Sequence, residues 1–127
     1  MLKRVPLACV IVDDNQAFLD AARVLLQREG VDVLGIASNT AEARSVLEGV
    51  EPDVVLVDVV LGEESGFDLS RELTQKGSTV VLISTHAKSD IEDMLDGSGA
   101  AGFVSKSELS ASTIRRILDR EPGPSPS

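Results

Sequence analysis

Asp13 and Asp14 close the apolar run Leu7-Ala8-Cys9-Val10-Ile11-Val12, and Asp58 closes a second, Val54-Val55-Leu56-Val57. Ser84 closes a third, Val80-Val81-Leu82-Ile83, and Lys106 follows a fourth, Phe103-Val104-Ser105. Carboxylates held close together repel one another, and without a counterion one of them is pushed towards protonation. A divalent cation relieves that repulsion. Oxygen ligands select a hard ion, Mg²⁺ or Mn²⁺, over zinc. The single histidine and single cysteine make no zinc-binding cluster. A metal flanked by a hydroxyl and an ammonium suits phosphoryl transfer, because each group neutralises part of the charge spread over the transferred oxygens. A carboxylate can then act as nucleophile by forming an acyl phosphate. Asp58 is the better candidate for that role, since the adjacent pair Asp13-Asp14 suits metal binding.

Such a site requires elements that bring distant residues together. Short apolar runs at 7–12, 31–37, 54–57, 79–84 and 101–105 are rich in β-branched residues. Their hydrophobicity is continuous rather than alternating, the mark of strands buried on both faces of a parallel sheet. Helical patterns separate them. Residues 15–29 place Phe18, Ala22, Leu25 and Leu26 on one stripe before Gly30. Residues 40–48 follow a capping-box-like Asn39 and Glu42 and carry Ala43, Val46 and Leu47. Residues 66–75 carry Phe67, Leu69 and Leu73; 89–96 carry Ile91, Met94 and Leu95; 110–120 carry Ile114, Ile117 and Leu118.

Five strands alternating with five helices predict a doubly wound α/β sandwich, (βα)5 and flavodoxin-like, with right-handed crossovers. Binding crevices in such sheets lie at the carboxyl ends of the strands, where all five polar groups fall. Bringing them together requires the first, third, fourth and fifth strands to be near one another, and a parallel five-stranded sheet of order 2-1-3-4-5 does so. Residues 1–120 form one domain in this reading. The tail 121–127, Glu121-Pro122-Gly123-Pro124-Ser125-Pro126-Ser127, lacks apolar content and is expected to be disordered.

Composition narrows the function classes. The formal charge of -9 opposes direct nucleic-acid binding, and with three Phe and no Trp or Tyr there is no base-stacking platform. Cys9 reads as a buried small hydrophobe. No apolar stretch approaches the ~20 residues of a membrane helix, and Asp13-Asp14 cut short the one segment that loosely mimics a signal peptide. The expectation is a soluble, cytoplasmic protein.

Taken in order, Val12-Asp13-Asp14, Val57-Asp58, Ser84-Thr85 and Lys106 resemble the receiver domain of two-component response regulators. Leu61-Gly62-Glu63-Glu64-Ser65-Gly66-Phe67-Asp68-Leu69 resembles the loop and helix after that family's phosphorylated aspartate, and Gly99–Lys106 resembles its fifth strand. The resemblance covers residues 5–120. It implies that Asp58 accepts a phosphoryl group from a histidine kinase or histidine phosphotransfer protein. It also implies that Asp14, Asp58 and the Val60 carbonyl bind Mg²⁺ directly, with Asp13 acting through metal-bound water. Lys106 would pair with the phosphoryl oxygens. Ser84, beside Thr85, would hydrogen-bond them and move inward, and Phe103 would be the switch aromatic. Val60 and His86 would sit where side chains tune the lifetime of the acyl phosphate. The signal would pass to a downstream protein, or into a homodimer, through residues 89–120.

Some positions depart from the family pattern. Ser84 replaces the commoner Thr but keeps the hydroxyl, and Thr85 is bulkier than the usual Ala or Gly. Phe103 lacks a hydroxyl, so it can switch only by packing. Ser107 stands where many members carry Pro, which makes a cis peptide after Lys106 less secure. The leading reading is a stand-alone phosphoacceptor switch or phosphorelay carrier, not an enzyme in its own right. Three others compete: the receiver portion of a longer transcriptional regulator, a degenerate receiver acting as a phosphorylation-independent interaction module, and a metal-dependent phosphatase of another α/β family. The last commonly uses Asp-x-Asp, and Asp13-Asp14 lacks the spacer.

Overall fold

The computed structural model describes residues 6–120, apart from the side chains of Lys88 and Arg120. The expected disorder of 121–127 therefore falls outside the described residues. The chain runs β1 (Ala8–Val12), α1 (Gln16–Arg28), β2 (Asp32–Ala37), α2 (Thr40–Leu47), β3 (Val54–Asp58), a short hairpin β4 (Val60–Leu61) and β5 (Glu64–Ser65), α3 (Gly66–Gln75), β6 (Val80–Ser84), α4 (Lys88–Asp96), β7 (Gly102–Ser105) and α5 (Ala111–Arg120). The five long strands pair in parallel in the order β2-β1-β3-β6-β7. Since β6 and β7 are the fourth and fifth long strands, this is the predicted 2-1-3-4-5 arrangement. Among the described residues no peptide bond is cis, and no helix is long and apolar enough to cross a membrane.

Burial explains the continuous apolar runs. Every residue of β3 and β6 is buried, and alternate side chains feed two cores. Cys9, Ile11, Leu56, Val81 and Ile83 face α1 and α5 with Leu19, Leu26 and Ile114. Val10, Val12, Val55, Val57 and Leu82 face the other helices with Ala43, Leu69, Leu73 and Ile91. Each large aliphatic side chain so buried contributes about 1.5–3 kcal/mol, which lets a core with so few aromatic residues hold the sheet. Burial, then the charge of Asp32, pushes the Cys9 thiol up to about 12, in keeping with a packing role.

Two helical stripes differ from expectation. The buried line of α1 runs through Leu19, Ala22 and Leu26, while Leu25 is exposed and Phe18 half-buried. On α4, Ile91 is buried but Met94 is exposed. The α1 cap is Asn15, whose side chain accepts from Phe18 N at 3.0 Å. Asn39 caps α2 by accepting from Glu42 N at 2.8 Å. Glu42 reaches back one residue further than a capping box, accepting from the N–H and hydroxyl of Ser38.

The β4–β5 hairpin has no sequence periodicity to announce it. Gly62, at φ +65, opens its two-residue turn, a place the mirror-image hairpin turns give to glycine. Glu64 pins the hairpin to α2 by accepting from Thr40 N at 2.9 Å. Immediately after it, Gly66 packs directly on the backbone of Asp58: a Cβ there would lie 1.8 Å from the Asp58 carbonyl oxygen. Further along α3, Ser70, Arg71 and Thr74 donate to the carbonyls of Ser98, Gly97 and Gly99, tying α3 to the end of α4. Arg44 of α2 grips Glu72 of α3 through two bonds of 2.7 and 2.8 Å.

Two outcomes follow from these contacts. Gly66→Ala forces backbone against backbone and should cost about 2–3 kcal/mol, whereas Gly97→Ala, where an added Cβ meets nothing within 4 Å, should change little. Equal urea midpoints for the two variants would contradict the packing. The Arg44 bond, the strongest influence, lowers the Glu72 carboxyl from 4.5 to about 2. A depressed carboxylate stabilises the fold above its unfolded pKa, and that stability is lost as pH falls through the folded value. Glu72→Gln should therefore cost about 0.5–1 kcal/mol at neutral pH, with the gap narrowing below 4.5 and towards 2. A gap that stays constant with pH in denaturation curves would contradict this.

Candidate functional site

Register aligns the strand ends. Val12 pairs with Val57, Asp58 with Ile83, and Ser84 with Ser105, so the residues that leave these strands emerge at one edge. Asp13, Asp14 and Asp58 each bring a carboxylate oxygen to within 4.8 Å of the others. Asp13 and Asp58 are buried, and Asp14 lies at the exposed mouth. Lys106, just past β7, reaches into the cluster: its Nζ is 2.6 Å from Asp13 Oδ2 and 3.2 Å from Asp58 Oδ2.

The ammonium also lies 4.4 Å from the centroid of the Phe18 ring, a cation–π contact with the head of the lysine. Sequence reasoning put Phe18 in the core and missed this role. The available signal was its position in the first turn of the helix that springs from Asp13-Asp14 and therefore overhangs the same crevice.

The remaining carboxylate oxygens are engaged unevenly. Asp13 Oδ1 accepts from Asn15 N at 2.8 Å, and Asp58 Oδ1 from Val60 N at 3.3 Å. Asp13 Oδ2 is fully buried without an aligned hydrogen-bond partner among the described residues. Its approach to Lys106 is thus a charge contact rather than a directed bond. Three carboxylates and one ammonium leave two net negative charges when all are ionised. Burial, then the charge of Asp13, raises the Asp58 carboxyl above its ordinary value against the pull of Lys106. Burial pulls the Lys106 ammonium down, but its contacts with Asp13 and Asp58 outweigh that and leave it raised. Both shifts describe a cluster with too little positive charge.

A hard divalent cation fits this set. The ligands are oxygens, the buried Asp13 Oδ2 has only a share of one ammonium that also serves Asp58, and Asp14 opens the cluster to solvent. A ligand that binds the folded chain alone stabilises it by about 1.4 kcal/mol at ten times its Kd. Mg²⁺ should accordingly raise the unfolding temperature by about 5 °C, and Asp14→Asn should abolish most of the rise. A shift reproduced by NaCl of equal ionic strength, or unaltered in the variant, would show that no such site exists.

The other predicted positions are arranged around this cluster. Val60 is half-exposed, with its backbone N–H against Asp58. Ser84 is buried at the end of β6, and Thr85 and His86 follow it, both exposed. Ser84 Oγ accepts from His86 N at 2.9 Å and lies 3.2 Å from His86 Nδ1. Phe103 does not join the carboxylates. It is half-buried against the core that contains Ile91 and Leu82, and it borders a groove with Glu92, Leu95 and Asp96 of α4.

Comparison with known proteins agrees with this geometry. The response regulator receiver domain family matches residues 9–119. The chain is 35% identical over 101 residues to a protein described as a transcriptional regulator from Pseudomonas aeruginosa, covering 78% of this chain and 49% of that protein. It is 27% identical over 123 residues to a protein-glutamate methylesterase/protein-glutamine glutaminase from Koribacter versatilis, covering 93% of this chain and 34% of that one. The chain thus spans between a third and a half of the length of these curated relatives. Among solved structures it is similar to the signal receiver domain described for the response regulator NarL of Mycobacterium tuberculosis, with a TM-score of 0.79 and 26% identity over 94% of this chain and 99% of that one. The family match takes in the whole acidic cluster, Ser84 and Lys106, and the chain belongs to the response regulator receiver domain family of two-component signalling.

Proposed function

We propose that Asp58 is the phosphoacceptor of a Mg²⁺-dependent switch charged by a histidine kinase or a histidine phosphotransfer protein. The P–N bond of a phosphohistidine breaks as a P–O bond to Asp58 forms, and the imidazole leaves with the electron pair and takes a proton from solvent. The convergence of Asp13, Asp14 and Asp58 on the Lys106 ammonium is the observation that carries this reading. Mg²⁺, or Mn²⁺ in its place, would supply the positive charge that the cluster lacks. Asp13, Asp14, Asp58 and the Val60 carbonyl would hold it. Lys106, steadied by Phe18, balances charge on the phosphoryl group, and Ser84, with Thr85 beside it, gives a hydrogen bond to one oxygen. Val60 and His86 flank the entrance, where they tune the lifetime of the acyl phosphate.

The phosphoryl group adds up to about two negative charges. Its readout falls on the region 89–120, where Phe103 packs between the sheet and α4. A downstream protein or a second copy of the chain docks there, in the cytoplasm, and nucleic acid is disfavoured by the acidic balance. The greater length of the curated relatives favours a second version of the same reading, in which this region acts on a neighbouring effector domain of a longer regulator. A phosphorylation-independent interaction module is disfavoured by the complete set of acidic and basic groups.

Incubation with Mg²⁺ and acetyl phosphate, followed by intact mass measurement, should show a gain of one phosphoryl group that is absent in Asp58→Ala. Lys106→Ala should slow the gain by about 100-fold. An unmodified wild-type chain, or modification that persists in Asp58→Ala, would refute the assignment.

A further inference from the structure

Ser84 is buried to 1% exposure, and its Oγ has two hydrogen-bond partners among the described residues, both supplied by His86. The His86 backbone N–H donates to Oγ at 2.9 Å and occupies one lone pair. The hydroxyl has a single hydrogen to give. A buried donor left without an acceptor is costly, and the acceptor within reach is His86 Nδ1 at 3.2 Å. With Nδ1 as that acceptor, the hydrogen of the neutral ring stands on Nε2.

We infer that His86 is a positioning residue whose Nδ1 latches the Ser84 hydroxyl away from the phosphoryl position. The inference rests on the reading of Asp58 as phosphoacceptor, and it deepens that reading by naming what the site must break in order to switch. To donate to a phosphoryl oxygen, the Ser84 hydroxyl must release Nδ1, because one hydrogen cannot serve both acceptors. The contact between Oγ and the backbone N–H of His86 can persist through this change, since it uses a lone pair and not the hydrogen. The exposed ring of His86 is then set free beside the start of α4. The latch holds the resting state, and its release is part of the cost of binding a phosphoryl group.

Three replacements separate the acceptor from the bulk of the ring. Asn places a polar atom close to where Nδ1 lies, Gln reaches past it towards the Nε2 position, and Ala removes both. The probe is beryllofluoride with Mg²⁺, a non-covalent stand-in for the phosphoryl group on a carboxylate, titrated by calorimetry. His86→Ala and His86→Gln should bind it about 2- to 10-fold more tightly than wild type, the range a single net hydrogen bond allows. His86→Asn should bind within about twofold of wild type, by the same measure. Mg²⁺ alone should bind all four proteins equally, which a general structural role for the ring would not give. In a Ser84→Ala background the three replacements should lose their effect, since the coupled pair is then already broken.

Equal affinities in wild type, His86→Ala and His86→Gln would overturn the latch while leaving Asp58 as the acceptor. So would an Asn variant that behaves like Ala, or differences that survive in Ser84→Ala. No binding of beryllofluoride by the wild-type chain would overturn both readings together.

Discussion

A single ammonium serves two buried carboxylates. Lys106 stands 2.6 Å from Asp13 and 3.2 Å from Asp58, and at those separations charge interactions are strong wherever water is scarce. Removing two acids from water is costly, and one lysine offsets only part of that cost. Much of the local architecture can be read as support for this imbalance. Strands β1, β3 and β7 deliver the three groups, Phe18 braces the lysine, and the N–H groups of Asn15 and Val60 satisfy one oxygen of each buried acid. The balance left over is negative and points outward through Asp14, which gives a cation both a reason to enter and a way in.

The parallel sheet is what makes so compact a site affordable in folding terms. Its central strands are buried on both faces, so the stabilisation from aliphatic packing is greatest right behind the cluster. The backbone of β3 and β6 is held by neighbours on either side. The polar residues stand where the ladders end, and there a carboxylate disturbs no packing layer. Fold and chemistry are thus spatially adjacent but energetically separate, a division that open α/β sheets commonly permit.

Much of this was legible in the sequence because the physics behind it is local. Uninterrupted β-branched runs, helical stripes and acidic residues at run ends need no long-range information, and together they constrained the strand order. What stayed hidden depended on contacts across the fold. The two-residue strands β4 and β5 are too short to carry a period. Phe18 looked like core because an aromatic on a helical stripe usually is, and only the position of Lys106 gives it another neighbour. Leu25 and Met94 fitted their stripes by spacing, yet each helix turned a slightly different face to the sheet. The hydrogen bonds of His86 to Ser84 followed from a bend after β6 that no composition rule announces. The packing of Phe103 in the hydrophobic layer beneath α4 likewise depends on contacts across the fold.

The close seat of Gly66 on the Asp58 carbonyl has a mechanical consequence. Main chain pressed against main chain has no side-chain torsion through which to yield. The peptide that bears the carboxylate is therefore clamped to the first turn of α3, and α3 is in turn moored to the loop at residues 97–99. A side chain at position 66 would have to push that peptide, and the carboxylate with it, out of the strand register.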